Sequence, residues 1–296
     1  MEKFPRILLA GITLNLLIFA CQAAPTPTIT PIPPTATPAP PTATPPPPTV
    51  TPTAEWKIVW SDEFDLPDGS PVDSTKWVHN TGGGGWGNVE LEFYTDRVSN
   101  SSIENGMLVI RALKEKYGDY DYTSARIRTR KELGFLYGRV EIRAKLPNTQ
   151  GIWPAIWMLS SGSKYGEWPM SGEIDIMEMI GREPYRSYGA LHYGNPHEHQ
   201  ETHYDLTGGQ TFADDFHIFA IEWEPTEIRW YVDGYHCFTA IDWFSSARGA
   251  AYPAPFDQKF DIIMNVAVGG SWPGFPDSTS IFPQAMVVDY VRVYQK

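Results

Sequence analysis

The sequence predicts an all-β fold, a β-sandwich or jelly roll, for residues 55–296 of the 296-residue chain. Short apolar or alternating runs rich in Val, Ile, Tyr, Phe and Trp recur along this stretch, and Gly, Pro, Asn and Asp separate them. No segment combines a sustained helical period with capping residues. Regular short strands over a stretch of this length are typical of a sandwich or a jelly roll.

Residues 1–21 have the pattern of a secretory signal peptide. Lys3 and Arg6 supply positive charge, and the apolar run 7–20 is too short to span a bilayer stably. The run ends at Cys21, which resembles the lipidated cysteine of a bacterial lipobox. We therefore expect a cell-surface lipoprotein that is anchored in the membrane through Cys21. An ordinary signal peptide cleaved nearby is the alternative, and it predicts a secreted protein.

Residues 22–54 predict a disordered linker. From Pro25 to Thr53 the chain is almost entirely Pro, Thr and Ala. Proline fixes φ and removes a backbone donor, so neither a helix nor a sheet ladder can form there. Such a segment is an extended, semi-rigid spacer that holds the following domain away from a surface.

Residues 55–296 contain seven clear strand candidates, which are rich in β-branched and aromatic residues. They are Lys57–Trp60, Met107–Ala112, Gly138–Ala144, His217–Trp223, Ile228–Val232, Phe260–Val268 and Val287–Tyr294. We expect the first and the last of these strands to be edge or closing partners.

Charge and composition exclude several classes of function. The formal net charge is −12 and no Lys/Arg cluster occurs, so nucleic acid is not an expected partner. The four glycines of Gly82–Gly85 lack the following Lys and Ser/Thr of a phosphate-binding loop, and they predict a mobile loop at the edge of a cleft. All 11 Trp residues lie after residue 55, and a surplus of Trp beyond core needs often lines a ligand groove.

The residues that carry chemistry lie in Gly172–Gly181, whose sequence is Gly-Glu-Ile-Asp-Ile-Met-Glu-Met-Ile-Gly. In a regular strand Glu173 and Asp175 share one face, and Glu178 falls on the other. A one-residue bulge near Ile176–Met177 would return Glu178 to the first face, and bulges are common beside active sites.

Three carboxylates on one face repel one another, so one pKa should rise while another stays low. A general acid and an anionic nucleophile require such a split. Two other interpretations stay open from these residues alone. Alternating acidic and apolar residues also describe a half-exposed strand, and a hard-cation site would usually add Asn or loop carbonyl ligands.

Nine further blocks accompany the acidic segment in a fixed order along the chain. They are Trp60–Phe64, Trp86–Asn88, Tyr122–Arg126, Gly151–Leu159, Leu191–Tyr193, Phe216–His217, Glu222–Trp223, Asn265–Gly270 and Asp289–Tyr294. Together with the acidic segment they resemble glycoside hydrolase family 16 over about residues 56–295. The extra hydrophobic residue Met177 is typical of its laminarinase-type members.

The resemblance implies a concanavalin-like jelly roll with an open cleft on its concave sheet. By the resemblance, Glu173 is the nucleophile, Glu178 is the acid/base and Asp175 is a helper that tunes the nucleophile. Retaining glycosidases need two carboxyl groups about 5 Å apart across the scissile bond. Glu178 would first donate a proton and then act as a base.

The sequence also predicts residues that bind the sugar. Trp153 and Trp272 lie beside Gly and Pro in turn-like sequence, which favours the cleft over the core, while Trp157 could lie in either. Flat aromatic rings stack on the apolar faces of sugars. Three further residues match family positions that contact sugar or orient the carboxylates: Asn88, Arg126 and His192.

Two groups of residues raise the question of a metal ion. His197, His199 and His203 have no helical or strand spacing, and the proline before them marks a loop, so we expect solvated side chains there. The resemblance implies a different ion, a structural Ca²⁺ on the convex side. Its matching ligands are Glu63, the carbonyl of Gly106 and Asp289, which are hard oxygen donors.

These observations predict a retaining endo-β-glucanase that hydrolyses β-1,3 or mixed β-1,3-1,4 bonds without a catalytic cofactor, and we expect a monomer. A galactan-cleaving enzyme of the same fold and a transglycosylase remain open within the class. A surface-tethered glucan-binding lectin is the alternative from another class, because fold alone does not determine function. Loss of Glu173 or Glu178 would favour the lectin, and both residues are present.

Overall fold

The computed structural model describes residues 55–296. The predicted signal peptide with Cys21 and the predicted linker 22–54 lie outside the described residues. Within the described part, no helix has both the length and the apolar character that crossing a membrane requires.

The described residues form β-strands and one short 3-10 turn at Lys131–Leu133. The strands are β1 (Lys57–Asp62), β2 (Trp77–His79), β3 (Glu92–Tyr94), β4 (Ser101–Glu104), β5 (Met107–Tyr117), β6 (Tyr120–Ser124), β7 (Arg126–Thr129), β8 (Gly138–Lys145), β9 (Ile152–Ser160), β10 (Glu173–Glu178), β11 (Arg186–Tyr193), β12 (Glu198–Asp205), β13 (His217–Trp223), β14 (Ile228–Val232), β15 (Tyr235–Ala240), β16 (Phe260–Val268) and β17 (Gln284–Gln295). The all-β prediction is confirmed.

The strands form two sheets. The larger sheet follows the order β15-β14-β13-β8-β17-β5-β6-β3, with β1 paired to β17 and β4 paired to β5. The smaller sheet has seven strands in the order β12-β11-β10-β9-β16-β7-β2. The first and last strands pair antiparallel with each other, as closing partners would. β17 itself lies inside the sheet between β8 and β5, so the alternative of an edge position is wrong for the last strand.

The core lies between the two sheets and follows the period-2 alternation of the strands. In β8 every second residue is buried, as a strand with one face on the core requires. The largest buried side chains include Trp77, Trp223 and Phe260. Burying one such side chain contributes about 1.5–3 kcal/mol, so this layer provides a firm support for the face that carries the cleft.

Strand bounds were predicted best where both faces or one whole face is apolar. β13, β14 and β16 have the predicted bounds. β5 instead continues past Ala112 to Tyr117 and forms a hairpin with β6. The added residues are mostly charged and exposed, so they give no apolar alternation that a sequence pattern could detect.

Candidate active site

An open cleft of about 630 Å³ crosses the outer face of the seven-stranded sheet. Side chains of β7, β16, β9, β10 and β11 form its floor, and the loops that carry Trp86, Trp168 and Trp272 border it. The volume is in the range of ligand-binding sites. Because the floor is built from neighbouring strands, the long axis of the cleft runs across the strands rather than along them.

The predicted bulge is present in β10. Asp175 pairs with Trp157 of β9 and Glu178 pairs with Ala155, so β10 advances three residues while β9 advances two. The two residues between the acidic ones are both buried on the core side. Glu173, Asp175 and Glu178 therefore all line the cleft, which a regular strand could not achieve.

Each of the three carboxyl groups has a defined neighbour. The indole Nε1 of Trp153 donates a hydrogen bond of 3.0 Å to Oε1 of Glu178. A carboxyl oxygen of Asp175 lies within 4.8 Å of one of Glu173. Oδ2 of Asp175 lies 3.1 Å from Nε2 of His192, at ion-pair distance but out of line for a hydrogen bond, so this buried oxygen has no aligned donor.

The electrostatics of the three groups differ from the expectation. Burial raises the pKa of Asp175 and the pKa of Glu178 to about 8, and burial also raises the pKa of Glu173. The prediction that one pKa stays low was wrong, because all three groups are removed from water together. The neighbouring His192 and Trp168 favour the anion of Glu173. The raised pKa of Glu178 is the direction that a general acid needs.

On one side of β10 a hydrogen-bonded network connects the floor of the cleft with the loop at its edge. The indole of Trp157 donates to Oδ1 of Asn265 at 2.7 Å, and Nδ2 of Asn265 donates to the hydroxyl of Tyr94 at 3.2 Å. That hydroxyl donates to Glu90 at 2.9 Å, and Asn88 donates to the other oxygen of Glu90 at 3.1 Å. Trp157 therefore belongs to the cleft, where the network orients its ring.

Arg126 lies in the same half of the cleft. Its guanidinium carbon is 4.6 Å from the ring centre of Trp86 and 4.7 Å from that of Trp157. Two such cation–π contacts hold the guanidinium in a fixed plane. Its Nε is buried and has no hydrogen-bond partner among the described residues.

The other half of the cleft, around Trp153 near the start of β9, is aromatic. The ring of Trp272 packs edge-on against Trp153, with 5.4 Å between centroids, and against Tyr188 at 5.0 Å. Trp272 follows β16 in a turn, as expected. Trp153 lies inside β9 rather than in the turn that its neighbours suggested, because β9 accommodates Pro154 opposite Val266.

The histidines predicted to be solvated in a loop lie beside this half of the cleft. His199 and His203 belong to β12, and His199 pairs directly with His192 of β11. The prediction that their spacing has no strand logic was wrong, because β12 is a polar edge strand without apolar alternation. His197 precedes β12, and its Nε2 lies 2.9 Å from Nδ1 of His192.

The three residues expected to bind calcium lie on the other sheet. Glu63 follows β1 and Gly106 precedes β5, and both strands pair with β17, which carries Asp289. Arg292 forms an ion pair of 2.8 Å with Glu63, and Arg143 forms one of 2.6 Å with Asp289. The oxygen donors suit Ca²⁺ in kind, but both carboxylates face arginines, which a cation would displace.

Sequence reasoning missed several residues that line the cleft, among them Trp86, Glu90, Trp168 and Tyr188. Trp86 stood inside a recognised block, and Trp168 precedes the acidic segment, so an excess of Trp near the motif was an available signal. Glu90 and Tyr188 had none, because their place in the cleft depends on contacts between distant segments.

A protonated carboxyl group and a second carboxyl group on one strand, in an aromatic cleft, define a glycosidase. Residues 87–292 match the model of the family described as Glycosyl hydrolases family 16, and the chain belongs to this family. The resemblance in the sequence is thereby confirmed.

Known proteins of this family are similar over most of the chain. A beta-glucanase of Rhodothermus marinus is 45% identical over 254 residues, covering 81% of this chain and 85% of the relative. Glucan endo-1,3-beta-glucosidase A1 of Niallia circulans is 40% identical over 267 residues, covering 82% of this chain and 38% of the relative. The laminarinase catalytic domain of Thermotoga maritima has a TM-score of 0.72 and 43% identity, covering 82% of this chain and 99% of that domain.

Proposed function

We propose that this chain is an endo-acting, retaining β-glucanase that hydrolyses β-1,3 bonds, or mixed β-1,3-1,4 bonds, in a glucan. The observation that carries the proposal is the bulge in β10, which brings Glu173 and Glu178 to one face in the floor of the cleft. Similarity to proteins named beta-glucanase and laminarinase supports glucan as the substrate.

In the first step Glu178 donates its proton to the glycosidic oxygen while the carboxylate of Glu173 attacks the anomeric carbon. The bond from that carbon to the leaving sugar breaks, and a covalent glycosyl-enzyme forms on Glu173. The raised pKa of Glu178 supplies the proton at neutral pH. The indole of Trp153 stabilises the carboxylate that Glu178 becomes.

In the second step the ionised Glu178 takes a proton from water, and the resulting hydroxide attacks the anomeric carbon. The bond to Glu173 breaks, so the sugar leaves with its original anomeric configuration and Glu178 regains its proton. Asp175 lies beside Glu173 and would adjust its charge through both steps.

The two halves of the cleft would bind sugars on either side of the scissile bond. Arg126 and Asn88 offer donors to sugar hydroxyls in one half, beside the ring of Trp157. In the other half Trp153 and Trp272 offer apolar rings. Because the cleft is open and aromatic residues lie beside both Asp175 and Glu178, it suits an internal bond of a long chain rather than a chain end.

His192 would complete this set of contacts. It lies beside Glu173 and Asp175 and lines the cleft, so it can meet both the sugar and the catalytic carboxyls. A lone imidazole is more often structural than functional, so its contact with Asp175 is the reason to give it a role.

Outside the cleft, Ca²⁺ bound by Glu63, the Gly106 carbonyl and Asp289 would link β1, the turn before β5 and β17. Such an ion would tie the first strand of the domain to the last one and stabilise the fold. The N-terminal features support export and tethering through a lipid on Cys21, with the Pro/Thr-rich segment as a spacer, and we propose that the protein is a monomer. Mass spectrometry of the exported protein tests the lipid, because Cys21→Ser would abolish the added mass.

The decisive experiment measures reducing ends released from laminarin, barley β-glucan, carboxymethylcellulose, agarose and carrageenan. We expect cleavage of laminarin, with a loss of about 10²- to 10⁴-fold in Glu178→Gln. NMR of the first products should show retained anomers, whereas inverted anomers would refute Glu173 as the nucleophile.

Other outcomes select the alternatives. Cleavage of agarose or carrageenan alone would identify a galactan-cleaving enzyme. Products longer than the substrate would identify a transglycosylase. Glucan binding by the folded chain without any turnover would identify a lectin.

A further inference from the structure

A pair of histidines leads from the buried helper carboxylate toward the surface. Nε2 of His192 lies 3.1 Å from Oδ2 of Asp175, and Nδ1 of His192 lies 2.9 Å from Nε2 of His197. The two imidazole rings are stacked, with centroids 5.1 Å apart and 29° between their planes. Both nitrogens of His192 are thus engaged, one by the catalytic centre and one by His197.

These contacts determine which nitrogen of His192 carries the proton. A neutral imidazole has one N–H donor and one acceptor nitrogen. Oδ2 of Asp175 is buried without a hydrogen-bond partner and lies 3.1 Å from Nε2 of His192, so when Asp175 is ionised a proton on Nε2 is a more favourable neighbour for this oxygen than a lone pair. Nδ1 of His192 is then an acceptor, and His197 must donate from its Nε2–H.

The surroundings of His197 suit this donor role. Its ring centre lies 4.9 Å from that of Trp168 and 5.9 Å from that of His199, so packing restricts the ring. Burial lowers the pKa of His197, and the neighbouring His192 and His199 lower it further. His197 is therefore neutral at neutral pH, and it donates a hydrogen bond to His192 without carrying a positive charge.

We propose that His197 is a positioning residue for the hydrolysis. Its hydrogen bond selects the tautomer of His192 whose N–H faces Asp175, and Asp175 in turn lies beside Glu173. Without this bond His192 would populate both tautomers, and in one of them its lone pair would face the buried oxygen of Asp175. The inference rests on the proposed function, in which Glu173 is the nucleophile.

The test compares two substitutions of one residue. His197→Gln keeps an N–H donor that can reach Nδ1 of His192, whereas His197→Phe keeps a packing ring and removes the donor. We expect kcat on laminarin to fall about tenfold in His197→Phe with KM within about twofold, and to stay within about twofold in His197→Gln. His203→Gln is the control, because His203 lies on β12, the strand that follows His197, and has no contact with His192. Its activity should match that of the wild type.

A measurement that is independent of activity reads the tautomer directly. Nitrogen-15 NMR of the imidazoles distinguishes Nε2–H from Nδ1–H, and the chain has only seven histidines to assign. We expect His192 to be the Nε2–H tautomer in the wild type and in His197→Gln, and a mixture in His197→Phe. This readout holds even if no glucan is cleaved, which separates failure of the inference from failure of the proposed function.

Three results would overturn the inference. An unchanged tautomer and an unchanged kcat in His197→Phe would show that the hydrogen bond has no such role. Equal losses in His197→Phe and His197→Gln would show that the imidazole matters only through its packing. A rise in KM alone would make His197 a sugar contact.

Discussion

Replacing Trp153 by Phe removes one hydrogen bond from the proposed acid and leaves the ring in place. The indole Nε1 of Trp153 is 3.0 Å from Oε1 of Glu178, and the ring packs against Trp272. Phenylalanine keeps a flat ring at the same position of β9, so the packing changes little. The perturbation is therefore directed at the charge that Glu178 acquires when it gives up its proton.

The expected magnitude follows from that change of charge. A hydrogen bond to a charged group contributes about 1.5–3 kcal/mol, and Glu178 becomes charged as the glycosidic oxygen is protonated. Losing it should lower kcat on laminarin by about 10- to 100-fold. The same energy should raise the pKa of Glu178 by about one unit or more, so the alkaline limb of the pH profile moves to higher pH.

The assay compares two substrates that differ in their need for an acid. An aryl laminaribioside with a dinitrophenol leaving group needs little protonation, so Trp153→Phe should affect it far less than laminarin. Trp157→Phe is the matched control, because Trp157 lies on the same strand and donates its indole hydrogen bond to Asn265 instead of Glu178. The control should change KM without moving the alkaline limb.

Two results would refute this reasoning. Equal losses on laminarin and on the aryl substrate would mean that the indole does not assist proton donation. A shift of the alkaline limb in Trp157→Phe as large as that in Trp153→Phe would mean that the limb does not report Glu178.

The other predictions concern stability and binding. Glu178→Gln should raise Tm more at pH 8 than at pH 5. The pKa of Glu178 is about 8 in the folded state, so the wild type loses stability as the pH rises from the pKa of the unfolded chain towards 8, and glutamine does not titrate. Calorimetry at both pH values checks this prediction, and equal shifts of Tm would contradict it. Arg126→Met should raise KM by about tenfold or more by removing a charged donor, while an unchanged KM in a folded variant would exclude a sugar contact. A chelator should lower the Tm of the wild type and added Ca²⁺ should restore it, whereas the Tm of Asp289→Asn should respond to neither. A chelator without effect on the Tm of the wild type would rule out the ion.

The sequence predicted those strands whose buried side chains form a continuous or alternating run of apolar residues. β16 is buried along its whole length, and its apolar run gave the correct bounds. β12 lies at the edge of its sheet and is polar, so His199 and His203 looked like part of a loop. The missed contacts have the same origin, because His197 meets Trp168 only through the folding of two separate loops.

The acidic segment could be interpreted from the sequence because its geometry is local. Glu178 follows Glu173 by five positions. Because five is an odd number, a regular strand would place the two residues on opposite faces and about 16 Å apart along the strand. A bulge removes one residue from that count, so it both returns Glu178 to the cleft and shortens the span by about 3.3 Å. Retaining chemistry needs carboxyl groups about 5 Å apart, and both corrections act in that direction. Because this segment has an extra residue, the bulge is what keeps Glu178 on the cleft face, and the two residues at the bulge are buried in the core, which fixes it in place.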